Sequence, residues 1–120
     1  MKTARQEKIA EEIRRELSNI IHFELQDPRI QGVTVTGVKM TPDLHVARVY
    51  FTIPGEPEKA GPAMKGLKSS SGLIKRLISQ RVLLKYMPNF EFFYDESLEL
   101  QERIDSLFQE IESKKDHNNP

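Results

Sequence analysis

The chain has 120 residues and a mass of 13.9 kDa, 38% hydrophobic and 30% charged, which is one domain's worth of ordinary globular composition. The absence of cysteine excludes disulfide scaffolds, thiolate zinc sites and cysteine nucleophiles. The formal net charge is zero and no apolar run approaches the roughly 18–20 residues of a membrane helix. Residues 1–8 mix Lys2, Arg5 and Lys8 with Glu7 and lead into no apolar segment, so a cytoplasmic protein is expected, neither secreted nor membrane-inserted.

Residues 3–25 read as a long amphipathic helix. Ile9, Ile13, Leu17, Ile20 and Ile21 recur at helical spacing, and Glu7, Glu11, Arg14, Arg15 and Ser18 fill the other arc. Asp27-Pro28 ends it, because the residue before proline is pushed out of the helical region. Val33-Thr34-Val35-Thr36 begins a β-branched strand, with Gly37 as a bulge and Val38 resuming the strand. Thr41-Pro42-Asp43 reads as a turn. A second strand follows, with Ala47, Val49, Phe51 and Ile53 on one face and Arg48, Tyr50 and Thr52 on the other, so the two strands predict a hairpin.

Pro54-Gly55-Glu56-Pro57 and Gly61-Pro62 predict a surface loop, after which a helical period runs from Ala63 through Leu67. Ser69-Ser70-Ser71-Gly72 interrupts it before Leu73, Ile74, Leu77 and Ile78 resume. Small residues of this kind cost helix stability, so a kink or break joining two helical halves is expected, with Gly72 able to hold a non-helical conformation there. Phe90, Phe92 and Tyr94 alternate with Glu91, Phe93 and Asp95 in a third strand after Pro88. Ser97 caps a last helix over about 98–111. The polar stretch 114–120 reads as a disordered tail, leaving a single domain over 1–113. The fold class is α+β, in the order α-β-β-α-(kink)-α-β with a short closing helix and with helices on one face of a three-stranded sheet.

Catalytic chemistry finds little support in the residues. His22, His45 and His117 have no partners at metal-ligand spacing and read as solvated, so no metal and no other cofactor is expected. The carboxylates Asp95, Glu96, Glu99 and Glu102 read as a solvated helix face. The Gly61–Ser69 stretch only superficially resembles a phosphate-binding loop, because its lysine is one residue late and Pro62 lacks an N–H. No catalytic residue is assigned, and a small hydrolase is a remote reading.

Charge is distributed unevenly. The net is 0 over residues 1–25, +1 over 26–55, +5 over 56–86 and −6 over 87–120. Lys65, Lys68, Gly72, Lys75, Arg76 and Ser79 fall within about 100° of one another on a helical wheel, and no acid occurs between Lys59 and Phe90. Small residues between the lysines would let a phosphate backbone approach, and a helix start beyond the break would offer N–H groups to anions. RNA fits better than duplex DNA, since no base-reading recognition helix stands out. The candidate RNA-binding residues are therefore Lys65, Lys68, Ser70, Ser71, Gly72, Lys75, Arg76, Arg81 and Lys85.

With these residues in view, the sequence resembles the bacterial ribosome-binding factor A family over nearly its whole length, about residues 2–111. The stretches that carry the resemblance are Glu11-Glu12-Ile13-Arg14-Arg15-Glu16-Leu17, Asp27-Pro28-Arg29, Val33-Thr34-Val35-Thr36-Gly37-Val38 and Pro42-Asp43-Leu44 in the first half. Ser71-Gly72-Leu73-Ile74-Lys75-Arg76, Phe90-Glu91-Phe92-Phe93-Tyr94-Asp95-Glu96-Ser97 and Arg103-Ile104-Asp105 carry it in the second. Seven stretches in order over one domain are specific. The resemblance implies a type II KH-like domain in which a helix–kink–helix with an Ala-x-Gly replaces the Gly-x-x-Gly loop of ordinary KH domains. Here Ser70-Ser71-Gly72 stands in that place, and no Gly-x-x-Gly occurs.

It further implies a non-catalytic, monomeric assembly factor that binds the small (30S) ribosomal subunit. Its partners would be 16S rRNA near the 5′-terminal helix and other assembly factors. It would promote late maturation and 5′-end processing of that RNA, notably in the cold. Two alternatives stand beside it: a free-standing KH-like RNA-binding module, and a protein–protein adaptor using the acidic C-terminal helix. Against the module count the missing Gly-x-x-Gly and the expected lack of an exposed aromatic pair in a basic setting.

Overall fold

Thr3 and Gln6 start the first helix by satisfying each other's backbone. The Gln6 N–H donates to Thr3 Oγ1 at 3.1 Å and the Thr3 N–H donates to Gln6 Oε1 at 2.9 Å. In this computed structural model, which describes residues 3–117, helix α1 runs over Ala4–Phe23. Its Ile13, Leu17 and Ile20 are wholly buried, as their spacing predicts. Gln6 is buried too, and its Nε2 donates to the Met40 carbonyl at 3.4 Å, tying the start of the helix to the end of the first strand.

Asp27 accepts from the Arg29 N–H at 2.9 Å and opens a 3-10 turn over Pro28–Ile30, which buries Ile30. Strands β1 (Thr34–Met40) and β2 (Val46–Thr52) form the expected antiparallel hairpin. The bulge lies where it was expected: Val35 pairs with Phe51 and Gly37 with Tyr50, leaving Thr36 as the extra residue. At the hairpin tip the Thr41 hydroxyl donates to Asp43 at 2.7 Å, and Asp43 accepts from the His45 N–H at 3.0 Å. Leu44 takes φ +64 there, a conformation that this side-chain network holds against its cost.

A second 3-10 turn, Pro57–Lys59, leads directly into α2 (Ala60–Ser69), so the helix starts three residues before the expected Ala63. Helix α3 (Ser71–Arg81) follows after a single residue, and β3 (Asn89–Tyr94) then pairs in parallel with β2, giving the order β1-β2-β3. A parallel return needs a crossover, and α2 and α3 together supply it. Helix α1 packs on β1 and α3, while α2 packs on β3 and the Pro28–Ile30 turn. The core between helices and sheet gathers Ile13, Leu17, Ile20, Val49, Phe51, Leu67, Ile74 and Ile78, all wholly buried. This is the α+β, type II KH-like arrangement.

Helix α4 spans Ser97–His117 and is longer than the expected 98–111. Residues 114–117, read from their polarity as tail, continue it, because extending an existing helix by a few residues costs little and needs no core. The rest of that tail, residues 118–120, lies outside the described residues. Ser97 also does not cap the helix; Asp95 does so by accepting the Ser97 N–H at 2.9 Å. No helix of the described residues is long and apolar enough to cross a membrane.

Candidate nucleic-acid interface

The break between α2 and α3 falls on Ser70, with φ −87 and ψ 0. Its N–H still donates to the Gly66 carbonyl at 3.0 Å, and its own carbonyl accepts from the Ile74 N–H at 2.9 Å, so the chain bends while the hydrogen-bond ladder is carried across. The side chain of Ser69 bonds back to the Lys65 carbonyl at 2.9 Å, the kind of local competition that weakens a helix from within. Gly72 is not the bend. It lies inside α3 without a positive φ, and a Cβ there would meet nothing within 4 Å. The expectation of a non-helical Gly72 is corrected: the serine run ahead of it makes the break.

Lys65 and Lys68 on α2 and Arg76 on α3 are exposed, and none of them forms an ion pair among the described residues. Ser70 and Ser71 are half-buried between them and Gly72 is exposed. Lys75 is half-buried, with Nζ 3.3 Å from Asn89 Oδ1 at the start of β3. Lys85 lies in the following loop, its ammonium 5.5 Å from the centre of the Tyr86 ring. Arg81 differs from the others. Its guanidinium donates to both carboxylate oxygens of Glu24 and lies 3.8 Å from Glu16 on α1, so its charge is balanced within the fold. The structure thus keeps Lys65, Lys68 and Arg76 around the break without ion pairs among the described residues, and engages Lys75, Lys85 and Arg81 in contacts of their own.

Two features escaped the sequence reading. Gly61, read as part of a loop, lies within α2, and Gly66, inside the expected helical stretch, faces the Pro28–Ile30 turn. A Cβ there would stand 2.9 Å from Ile30 Cγ1 and 3.2 Å from Asp27 Oδ2. Gly66 therefore lets α2 approach that turn closely, and the neighbouring Asp27–Arg29 ion pair, at 2.6 Å, braces the same junction.

The second feature lies on the face of the sheet turned away from the helices. Tyr50 and Phe93, partners across β2 and β3, stack with ring centres 5.5 Å apart, and the Lys39 ammonium lies 5.5 Å from the Tyr50 ring. Phe93 is exposed. Tyr50 is half-buried, so the sheet offers a partly open aromatic pair beside one cation, where no exposed pair in a basic setting was expected. The signal was available in the alternation, which turns Tyr50 and Phe93 to the outer face, but only strand register brings them together. Arg48 and Glu91 on that face are 3.7 Å apart and offset each other.

His22 and His45 are exposed, as expected, and His45 meets the Tyr86 ring edge-on at 5.6 Å between centres. Among the described residues no three metal-capable side chains gather.

Comparison with known proteins places this geometry. The sequence profile described as Ribosome-binding factor A matches residues 5–108. The chain is 43% identical over 107 residues to ribosome-binding factor A of Desulfatibacillum aliphaticivorans, covering 89% of this chain and 87% of that one. Its fold is similar to the crystal structure of ribosome-binding factor A from Thermus thermophilus, with a TM-score of 0.68 and 25% identity, over 74% of this chain and 93% of that chain. It is also similar, with a TM-score of 0.62 and 25% identity, to coordinates of the Thermus thermophilus factor fitted into the cryo-EM map of a 30S complex, covering 80% and 97% of the two chains. From its motifs, its topology and these likenesses, the chain belongs to the ribosome-binding factor A family.

Proposed function

We propose that this protein binds the small (30S) ribosomal subunit through 16S rRNA near its 5′-terminal helix and promotes late maturation and 5′-end processing of that RNA, most strongly in the cold. It acts as a cytoplasmic monomer without catalysis, alongside other assembly factors. The observation that carries this reading is the bent, acid-free pair α2–α3, with Lys65, Lys68 and Arg76 exposed and unpaired around Ser70 among the described residues. Cations held on two short helices meeting at a bend can follow a folded RNA backbone whose phosphates do not lie on a straight line. Small residues at Ser70, Ser71 and Gly72 admit the sugar–phosphate chain between the cations. Binding holds one RNA conformer, and release follows when the matured subunit no longer offers that surface. The Thermus relative's presence in a 30S complex supports the choice of partner.

The test is co-sedimentation of Lys65→Glu, Lys68→Glu, Arg76→Glu protein with small subunits, expected to be abolished while the domain stays folded. A strain lacking the protein is expected to accumulate free small subunits with unprocessed rRNA ends, more so at low temperature. A second reading, a free-standing RNA-binding module, is favoured by the Tyr50–Phe93 stack beside Lys39, since exposed aromatics on a sheet can stack unpaired bases. It requires tight binding of short oligoribonucleotides that Tyr50→Ala removes.

A further inference from the structure

Six of the eleven exposed large hydrophobic side chains of the described residues lie on helix α4. Leu100, Ile104, Leu107, Phe108 and Ile111 recur at spacings of four, three, one and three, which aligns them on one side of the helix, and they are 36–62% exposed. Every residue from Gln101 to Lys114 is exposed. The body of the protein holds only the root of α4, where Asp95 caps Ser97 and the Tyr94 hydroxyl donates to Glu99 at 2.5 Å. A stripe of this size on a helix that leaves its own core marks an interaction surface. Anchors spaced in this way are what an amphipathic helix presents to a groove.

The remaining arc identifies the occupant. Residues 97–114 hold Glu99, Glu102, Asp105, Glu110 and Glu112 against Arg103 and Lys114, a net of −3, and Lys114 is paired with Glu110 at 3.5 Å. Nucleic acid and anionic lipid would meet their own sign of charge. A second copy would set two such acidic helices side by side, or turn α4 onto the basic α2–α3 half that the small-subunit reading gives to RNA. A positively charged protein meets both requirements, an apolar groove for the stripe and cations for the rim.

We propose that α4 is a docking helix whose Leu100–Ile111 stripe seats in an apolar groove of a basic protein of the small ribosomal subunit, while α2 and α3 hold the RNA. The inference rests on the small-subunit reading above. It makes the opposite charges of the two halves of the chain a division of labour between RNA and protein.

The experiment uses the full chain with a photoreactive benzophenone amino acid at position 108, bound to purified small subunits and irradiated. The expected product is a crosslink to one subunit protein of net positive charge. A crosslink to rRNA, to a second copy or to the chain's own body overturns the proposal, and so does no crosslink from protein that co-sediments. If the unaltered chain does not co-sediment, the small-subunit reading itself fails and takes this proposal with it. In parallel, Leu107→Glu with Ile111→Glu is expected to weaken subunit binding at least about tenfold, as removal of two central anchors does, with an unchanged thermal midpoint because both side chains are exposed. Unchanged affinity overturns the proposal.

Discussion

Gly66 faces Ile30 so closely that any side chain at position 66 would enter the space Ile30 occupies, its Cβ 2.9 Å from Ile30 Cγ1. Ile30 is almost wholly buried and cannot move aside, and Arg29 Cβ and Asp27 Oδ2 crowd the same spot. The contact joins the first helix of the candidate interface to the turn that follows α1. It sets where Lys65 and Lys68 stand relative to the rest of the molecule.

Gly66→Ala is therefore expected to destabilise the domain by about 1–3 kcal/mol, the cost of overpacking a close contact, despite the better helix propensity of alanine. Urea unfolding checks it. A stability equal to that of the unaltered protein would mean the junction can open without penalty.

Gly72→Ala is expected to act in the opposite direction. The position is helical and its surroundings are open, so alanine should add about 0.5–1 kcal/mol by reducing the freedom of the unfolded chain. The break at Ser70 is unaffected. A destabilised Gly72→Ala protein would restore glycine as the residue that makes the bend.

The salt dependence of binding counts the phosphates engaged. If Lys65, Lys68 and Arg76 each neutralise one phosphate, the logarithm of affinity should fall against the logarithm of salt with a slope near −2, from about 0.7 per contact on unpaired RNA. Each single substitution to glutamine should reduce the slope by about 0.7. Arg81→Gln should leave the slope unchanged and lower the thermal midpoint instead, because Arg81 already faces Glu24 and Glu16. A slope reduced by Arg81→Gln would place that residue on the RNA.

Acid should weaken the fold through five carboxylates held below the usual range: Glu11 by the Arg14 guanidinium, Asp43 by the Thr41 hydroxyl, and Glu24, Asp27 and Asp95. The Arg81 guanidinium holds Glu24 below the usual carboxylate range, and the Arg29 side chain and N–H do the same for Asp27. Asp95 is held low by the hydroxyl and N–H of Ser97, with the Thr36 hydroxyl adding to them. A carboxyl whose folded value is depressed contributes stability that is fully present above its unfolded value and is lost as pH falls through the folded one. The thermal midpoint should thus be nearly level from about pH 7 to 5 and fall below about pH 4. Glu24→Gln with Asp27→Asn should lower it at neutral pH and flatten the acid decline. Calorimetry at stepped pH checks both, and a decline of unchanged steepness in the double variant would assign acid sensitivity elsewhere.

Most of the architecture was legible without coordinates, because period and punctuation are local. The 3.6-residue recurrence of Ile13, Leu17 and Ile20 marked a buried helix face. Alternation through Ala47, Val49 and Phe51 marked a half-buried strand, and Gly37 marked the bulge. The serine run announced a break in the basic helix, and the absence of acid from Lys59 to Phe90 announced its charge. Helix ends were less legible, as the starts of α2 and the length of α4 illustrate, since turns and free-standing helices need no change of hydrophobic pattern to begin or continue.

Local pattern alone determined the element order, the core faces and the sign of the charge on each half of the chain. Distance in space decided the rest. Only the folded molecule balances Arg81 against Glu24, 57 residues away in sequence, leaves Lys65, Lys68 and Arg76 unpaired among the described residues, and stacks Tyr50 on Phe93. It also seats Gly66 against Ile30 and leaves the apolar side of α4 facing solvent. Pairing, close approach and exposure depend on which residues meet across the sheet and between helices, and that information is absent from the periodicity of any single segment.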